Sequence, residues 1–221
     1  MKRVADIRQE FRDRFRLQTI VKGDVPSQDT IEILNAQFVA DDPVIFGKYN
    51  VDYVRRELDW YKSQYLNVND IEDPIPQIWQ KISDPDGFVN SNYGHLIWSG
   101  ENGFQYQSCL EELIENPTGR QATMIYTRPT MYLDATANGM SDFVCTNTVN
   151  CFLRRGRLHY AVFMRSNDAV FGYKNDLAWH LFVQSLLCRD LTHAGIKVQP
   201  TPIVWHAASL HVYRRHFGEI K

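Results

Sequence analysis

The feature that most constrains the fold of this chain is a β-hairpin signal in its second half. Two strand-like runs, residues 146–154 and 157–165, are separated only by Arg155-Gly156. A two-residue connection that contains glycine is typical of a tight turn between antiparallel strands. We therefore expect a long pair of strands here, and the other elements must pack around it.

Further strand and helix patterns lie on both sides of this hairpin. Strand patterns cover Thr30–Val39, Ala122–Thr127 and a stretch from Ile203 to Tyr213. Helical patterns cover 3–16, 51–65 with Asn50 as cap, about 105–115, and a last helix that Asn175 or Asp176 caps and that runs to about Cys188. The predicted inward faces include Tyr65 in the second helix, and Leu177, Leu181, Phe182 and Leu186 in the last. Strands and helices mix without a regular βαβ rhythm, which predicts an α+β fold: a mixed sheet with packed helices.

Composition sets the size and class of the protein. The chain has 221 residues, 44% of them hydrophobic and 23% charged, which predicts one globular domain over 1–221 with 1–29 as an N-terminal helix and loop. A net charge of −2 gives no general attraction to nucleic acid. No apolar run reaches the roughly 18–20 residues that span a bilayer, and the N-terminal residues lack a signal-peptide core. We expect a cytoplasmic protein with reduced thiols.

The four cysteines show no CxxC spacing, so we expect neither a metal site nor a disulfide framework. Cys145 stands out because Thr146-Asn147-Thr148 follows it, where a structural cysteine usually has apolar neighbours. A thiol needs help to ionise, and Arg165 on the neighbouring strand could supply a favourable field. From these residues alone, a structural role for Cys145 and a catalytic one both stay open.

Two further polar segments allow a structural and a functional interpretation. Arg165-Ser166-Asn167-Asp168 places a fork of donors beside a hydroxyl, which suits a phosphate, but it also suits a salt bridge at a strand end. Asn175-Asp176 could be a helix cap or part of a binding site.

In combination, these segments resemble the thymidylate synthase superfamily. Cys145, then Arg165-Ser-Asn-Asp-x-x-Phe-Gly, then Asn175-Asp176 stand in the order of that family's nucleophile, phosphate grip and base-reading residue. Four more segments match in order: Arg56-Glu57-Leu58-x-Trp60-Tyr61, Asn92-Tyr93-Gly94, Asn116-Pro-Thr-Gly-Arg120 and His211-Val-Tyr213.

The resemblance implies a role for each matching residue. It implies that Cys145 is the nucleophile, that Glu57 organises proton transfers and that Tyr93 lies beside Cys145. It further implies a homodimer in which Arg120 reaches the partner's phosphate site, while His211 and Tyr213 hold the sugar hydroxyl. Arg165 and Ser166 would grip the phosphate, with Lys22 as a further contact, and Asn167 would read the base with Asp176. The usual second arginine after Arg120 is Gln121 here.

The same resemblance implies 5,10-methylenetetrahydrofolate as co-substrate and no metal. Asp168 would face the folate or the water network of the site. Trp79 is a candidate for packing on the folate ring, with core packing as its alternative role.

Within the superfamily, the chain is similar to the deoxycytidylate hydroxymethylases of T-even-type bacteriophages, for example in Phe38-Val39-Ala40-Asp41 and Ser209-Leu210-His211-Val212-Tyr213. Asp176 stands where synthases have Asn, and a carboxylate only accepts hydrogen bonds, which suits the amino group of cytosine. The implied activity is hydroxymethylation of dCMP, in a host cytoplasm and in a phage nucleotide-synthesis complex. Two alternatives stay open: a synthase that methylates dCMP or dUMP, and a non-catalytic nucleotide-binding subunit.

Overall fold

The computed structural model describes all of residues 1–221 as a mixed sheet with helices packed on it. The strands are β1 (Lys2–Arg3), β2 (Thr30–Val39), β3 (Thr123–Ile125), β4 (Thr146–Arg154), β5 (Arg157–Asp168), β6 (Gln199–Pro200) and β7 (Val204–Tyr213). The helices are α1 (Val4–Arg16), α2 (Val51–Ser63), α3 (Gln77–Ile82), α4 (Tyr93–Trp98), α5 (Gln105–Glu115), α6 (Met131–Asp134) and α7 (Gly172–His193).

The sheet has the strand order β1-β2-β7-β5-β4-β3, with β6 added to β5. β4 and β5 form the predicted antiparallel hairpin, and Arg155 and Gly156 both have positive φ, as a primed two-residue turn requires. β5 pairs in parallel with β7, and β7 pairs antiparallel with β2. The predicted α+β class is confirmed.

One hydrophobic cluster joins the sheet to the helices. It contains 49 buried residues and extends from Val4 in α1 to Ile220 near the C-terminus. At its centre His180 of α7 is fully buried, with Nδ1 3.3 Å from the Tyr160 hydroxyl. Burial lowers the pKa of His180 to about 3, so this histidine is a neutral part of the core.

Strand pairing is interrupted along one line that crosses the sheet. Asn35 in β2, Ala208 in β7 and Arg165 in β5 are neighbours across the strands and are skipped in the pairing, and Asn147 in β4 is skipped opposite Phe163 and Met164. Side chains alternate between the two faces of a sheet along each strand. When one residue is skipped, the side chains after it therefore point to the opposite face. Before this line Val162 and Met164 point into the core, whereas beyond it Asn167 is the buried residue. The line therefore turns Asn167 towards the helices.

Two expectations about helix ends are wrong. α7 begins at Gly172 rather than after Asn175, because Asp168 Oδ1 accepts the backbone N–H of Val170 at 2.8 Å and thereby organises the entry to the helix. α2 ends at Ser63, since Gln64 has φ +63, and Tyr65 is consequently 61% exposed.

One residue of the predicted inner face of α7 is also wrong. Leu181 is 46% exposed, while Leu177, Val183 and Leu187 are buried. The same helix ends at His193 rather than near Cys188. The remaining predicted elements agree with the structure to within a few residues, and Asn50 caps α2 through a 3.0 Å hydrogen bond from Tyr53 N. The sequence patterns gave no indication of α4 or of the parallel pairing of β5 with β7.

Candidate functional site

Cys145 lies directly before β4, beside the guanidinium of Arg165. The backbone N–H of Arg165 donates to the Cys145 carbonyl at 2.9 Å, and Arg165 Nη2 is 3.7 Å from Cys145 Sγ. The guanidinium is fixed in place by the carbonyls of Phe143 and Val144, the latter 2.9 Å from Nε. Burial raises the pKa of the Cys145 thiol to about 12, and Arg165 opposes this rise. In the free protein the thiol therefore holds its proton.

A second group of side chains surrounds Asp176 on the first turns of α7. Tyr93 donates its hydroxyl to Asp176 Oδ1 at 3.2 Å, and Asn167 Nδ2 donates to Oδ2 at 2.7 Å. The other amide atom, Asn167 Oδ1, is buried and has no partner. A Cβ at Gly172 would come within 3.2 Å of Asn167 Nδ2, so the glycine keeps this corner open. The site thus has a fixed carboxylate next to an unused acceptor.

Glu57 is buried on α2 and accepts two hydrogen bonds at Oε1. Its donors are the indole N–H of Trp79 at 2.9 Å and the hydroxyl of Tyr53 at 3.1 Å. Burial raises the pKa of Glu57 to about 7. Burial, and the negative charge of Glu57, raise the pKa of Asp176 to about 7 as well. The pKa of Asp176 therefore depends on the charge state of Glu57.

Helix α4 positions Tyr93 by a close approach to α2. Asn92 caps α4 through His95 N at 2.9 Å and donates from Nδ2 to the carbonyl of Trp60 at 3.0 Å. The ring of Tyr93 stacks on that of Tyr61, with centroids 5.1 Å apart and an interplanar angle of 18°. Only glycine fits at position 94, because a Cβ there would lie 1.8 Å from the Tyr61 carbonyl oxygen.

His211 and Tyr213 lie at the end of β7, where Asp168 of β5 is the register partner of His211. The two rings meet edge to face, with centroids 4.9 Å apart. One oxygen of Asp168 caps the start of α7, and Oδ2 has no hydrogen-bond partner. Ser166 is paired with Ser209 of β7, on the same stretch of the sheet.

Two residues that were predicted to contact the phosphate, Lys22 and Arg120, make no hydrogen bond to the site residues described above. Lys22 Nζ pairs with Asp29 at 3.0 Å, and Asp29 also binds Arg214 at 2.6 Å. Hydrogen bonds from Lys22 and Arg214 lower the pKa of Asp29 to about 2. Arg120 is exposed in the turn that follows α5.

The sequence argument assigned no role to Asp142, although it lies three residues before Cys145. Asp142 is buried and accepts the backbone N–H groups of Asn90 at 2.7 Å and Ser91 at 2.8 Å, and the Ser91 hydroxyl at 2.6 Å. It thereby ties the segment before Tyr93 to the segment before Cys145. A charged residue within the apolar stretch Met140–Val144 was the available signal.

No group of three or more potential ligand side chains is arranged to hold a metal ion. No helix combines the length and the apolar character needed to cross a membrane.

Comparison with known proteins gives a matching family model and two groups of relatives. The family model described as "Thymidylate synthase" matches residues 39–221. The chain is 51% identical over 191 residues to the deoxycytidylate 5-hydroxymethyltransferase of Enterobacteria phage T4, which covers 85% of this chain and 77% of that protein. It is also 51% identical over 194 residues to the enzyme of the same name from phage T6.

More distant relatives carry a different name. The thymidylate synthase of Bacillus atrophaeus is 24% identical over 173 residues, with 75% of this chain and 72% of that protein covered. The predicted resemblance is confirmed by both groups of relatives, and the family model spans most of the sheet and its helices. The chain belongs to the thymidylate synthase family.

Proposed function

We propose that this protein is a deoxycytidylate 5-hydroxymethyltransferase, which transfers a one-carbon unit to C5 of dCMP and hydrates it. The observation that carries the proposal is the buried Asp176, held by Asn167 and Tyr93. The printed names of the relatives that are 51% identical point to the same reaction.

The polar atoms around Asp176 favour cytosine over uracil. The carboxylate of Asp176 offers acceptors to the 4-amino group of cytosine and to a protonated N3, whereas it repels O4 of uracil. Asn167 Oδ1 adds a second buried acceptor without a partner. Leaving a buried acceptor unpaired is costly, so a ligand with an amino group at this place binds better than one with a carbonyl.

Cys145 is the proposed nucleophile. Its thiolate attacks C6 of the pyrimidine, which makes C5 nucleophilic, and it departs from C6 at the end of the reaction. Because the pKa of the thiol is raised to about 12 in the free protein, its proton must leave as the substrate binds. Arg165, 3.7 Å from Sγ, stabilises the resulting thiolate.

Glu57 is the proposed acid–base group. Its pKa of about 7 lets it take or release a proton near neutral pH, and Tyr53 and Trp79 hold its carboxyl in one orientation. In this role it activates the water that adds to the exocyclic methylene group at C5. Positioned acid–base groups contribute about 10²–10⁴ in rate.

The one-carbon unit comes from 5,10-methylenetetrahydrofolate, the co-substrate used in the thymidylate synthase family. The residues at the start of α7 fit such a ligand: Asp168 Oδ2 is free to accept a hydrogen bond, and Phe171 is 52% exposed for contact with a flat ring. Trp79 has only 7% of its surface exposed and gives its N–H to Glu57, so its proposed contact with the folate is limited to a ring edge.

The phosphate is assigned to Arg165 and Ser166, to Lys22 once it leaves Asp29, and to Arg120 of a second copy in a homodimer. The face of the sheet opposite α7 supports this assembly. There the ring of Phe163 stacks on His206 at 4.4 Å, and Leu34 is 64% exposed. A partly exposed apolar face is typical of an interaction surface.

Tritium release from [5-³H]dCMP in the presence of methylenetetrahydrofolate tests the reaction. We expect release, 5-hydroxymethyl-dCMP as product and tetrahydrofolate as co-product. The Cys145→Ser variant should bind dCMP without release. Dihydrofolate as co-product would instead identify a methylating synthase, and no release from the unaltered protein would leave only a nucleotide-binding role.

A further inference from the structure

Three polar side chains form a chain of hydrogen bonds between β2 and β7. Glu32 is the register partner of His211, and Ser209 lies two residues before His211 on the same side of β7. Ser209 donates its hydroxyl to Glu32 Oε1, and Ser209 Oγ is 3.3 Å from His211 Nδ1. Neither Glu32 nor Ser209 belongs to the contacts around Cys145 and Asp176.

The number of protons available in this series of hydrogen bonds determines which nitrogen of His211 carries a hydrogen atom. The Ser209 hydroxyl has a single proton, and Glu32 takes it, since a carboxylate can only accept. Towards His211, Ser209 Oγ can therefore only accept, so Nδ1 must be the donor. A neutral imidazole has one N–H, which leaves Nε2 as a bare acceptor.

The other neighbours of His211 leave this assignment unchanged. The only side-chain hydrogen bond of the ring is the one through Nδ1, and the backbone of the same residue, Ser209, is the other hydrogen-bonding group beside the ring. Asp168, its partner on β5, uses Oδ1 for the backbone of Val170 and Phe171. Burial lowers the pKa of His211, which keeps the ring neutral at physiological pH, while Asp168 and Glu32 oppose this effect.

We propose that Glu32 and Ser209 are positioning residues that hold His211 as its Nδ1–H tautomer, so that Nε2 accepts a hydrogen bond from a free hydroxyl of the substrate sugar. The sugar contact of His211 rests on the proposed function, whereas the tautomer does not. A sugar with a phosphate on its 3′-oxygen offers only acceptors there and is disfavoured. This hydrogen-bond arrangement therefore selects a nucleotide with an unmodified 3′-hydroxyl.

The same three residue types occur in hydrolase triads, but the hydrogen bonds between them have a different order and direction here. In a triad the histidine accepts the proton of the serine, and the acid holds the histidine. Here Ser209 donates to the acid directly, so its oxygen is not activated as a nucleophile. The arrangement orients His211 and does not supply a second catalytic centre.

The tautomer can be observed without substrate by long-range ¹H–¹⁵N correlation spectra of protein labelled with [¹⁵N]histidine. We expect Nδ1–H for His211 in the unaltered protein, with its signals assigned by their loss in His211→Asn. In Glu32→Ala the Ser209 hydroxyl becomes free to donate, and His211 should change to Nε2–H. Glu32→Gln retains an acceptor oxygen and should keep Nδ1–H, as should Glu115→Ala, which removes an exposed carboxylate elsewhere. Nε2–H in the unaltered protein, or an unchanged tautomer in Glu32→Ala, overturns the proposal.

Steady-state kinetics tests the consequence for the substrate. In Glu32→Ala and Ser209→Ala, KM for dCMP should rise by about tenfold, the effect of one lost hydrogen bond, with a smaller change in kcat. KM for 2′,3′-dideoxy-CMP, which lacks the hydroxyl, should stay the same, and Glu32→Gln should restore the KM for dCMP. An equal rise for both nucleotides contradicts the proposal. If the unaltered protein converts neither nucleotide, the proposed function fails, and the spectra still decide the tautomer.

Discussion

At the scale of single residues, burial raises the pKa of the Cys145 thiol most, and the charges around it adjust this pKa further. Arg165 lowers the pKa of Cys145, whereas Asp142 raises it through its negative charge. Arg165→Gln should therefore raise this pKa and slow alkylation by iodoacetamide at a fixed pH, while Asp142→Asn should lower the pKa and speed alkylation. The rates are measured on dCMP-free protein, with Cys145→Ser as the blank for the other cysteines. Changes of the same sign in both variants would show that loop disorder, and not charge, controls the thiol.

Asp176 decides between the two pyrimidines in the proposed site. Asp176→Asn replaces an acceptor with a group that both donates and accepts, which matches N3–H and O4 of uracil. We expect the ratio of kcat/KM for dCMP to that for dUMP to fall by about 10²-fold or more, since a mispaired buried polar group discriminates strongly. An unchanged ratio would mean that another residue reads the base.

Glu57 and Asp176 also predict a coupled pH dependence. The pKa of each is raised to about 7, and the negative charge of Glu57 contributes to the rise at Asp176. In Glu57→Gln that charge is absent, so the pKa of Asp176 should fall while burial keeps it above its ordinary value. Carboxyl ¹³C titration of the free protein measures this shift. A pKa of Asp176 that stays near 7 would show that burial alone sets it.

At the scale of helices and strands, the sequence predicts what local signals encode. The cap at Asn50 and the turn at Arg155-Gly156 agree with the structure because each depends on adjacent residues. The start of α7 was misplaced, because Asn175 and Asp176 are good capping residues while the actual start depends on Asp168. The interrupted pairing at Asn35, Ala208, Arg165 and Asn147 could not be predicted, since it depends on which distant strands become neighbours.

The residues of the candidate site also fall into two groups: those that the local sequence predicts and those whose role depends on distant contacts. The order of motifs predicts Cys145, Arg165 and Asp176 as site residues from the polar segments in which they lie, and Glu57 only from the family resemblance. Asp142 was missed because its role depends on the backbone of Asn90 and Ser91, about fifty residues earlier in the chain.

The contact of α4 with α2 gives a prediction at this scale. Gly94→Ala places a methyl group 1.8 Å from the Tyr61 carbonyl oxygen, so the two helices must separate and Tyr93 must move. Overpacking of this kind costs about 1–3 kcal/mol. Urea denaturation should show this loss, and kcat should fall as Tyr93 leaves Asp176. Gly218→Ala is the matched control, because no atom lies within 4 Å of the added group. Equal stability of the two variants would mean that the helices tolerate the change.

At the scale of the whole molecule, the sheet divides the protein into two sides with different roles. One side carries α7 and the buried cluster, and the other carries Phe163 and His206, which are half-buried, and the exposed Leu34. Cys145 and Arg165 lie where strand pairing is interrupted, whereas Arg120 lies after α5 and does not contact them. We propose that the phosphate site of the proposed reaction takes Arg120 from a second copy of the chain.

Mixing two variants that should each lose activity tests this proposal. Cys145→Ser removes the proposed nucleophile, and Arg120→Gln removes the charge that is proposed to bind the phosphate. If Arg120 acts across the interface, a mixed dimer contains one site with both residues intact, because that site takes its cysteine from one variant and its arginine from the other. Random reassociation makes half of the dimers mixed, so activity should recover to roughly a quarter of that of the unaltered protein. If Arg120 acts within its own chain, no intact site can form, and the mixture should remain as inactive as its two components. Tritium release from [5-³H]dCMP before and after reassociation distinguishes the two cases, and Gln121→Ala in place of Arg120→Gln controls for a general effect of altering this turn.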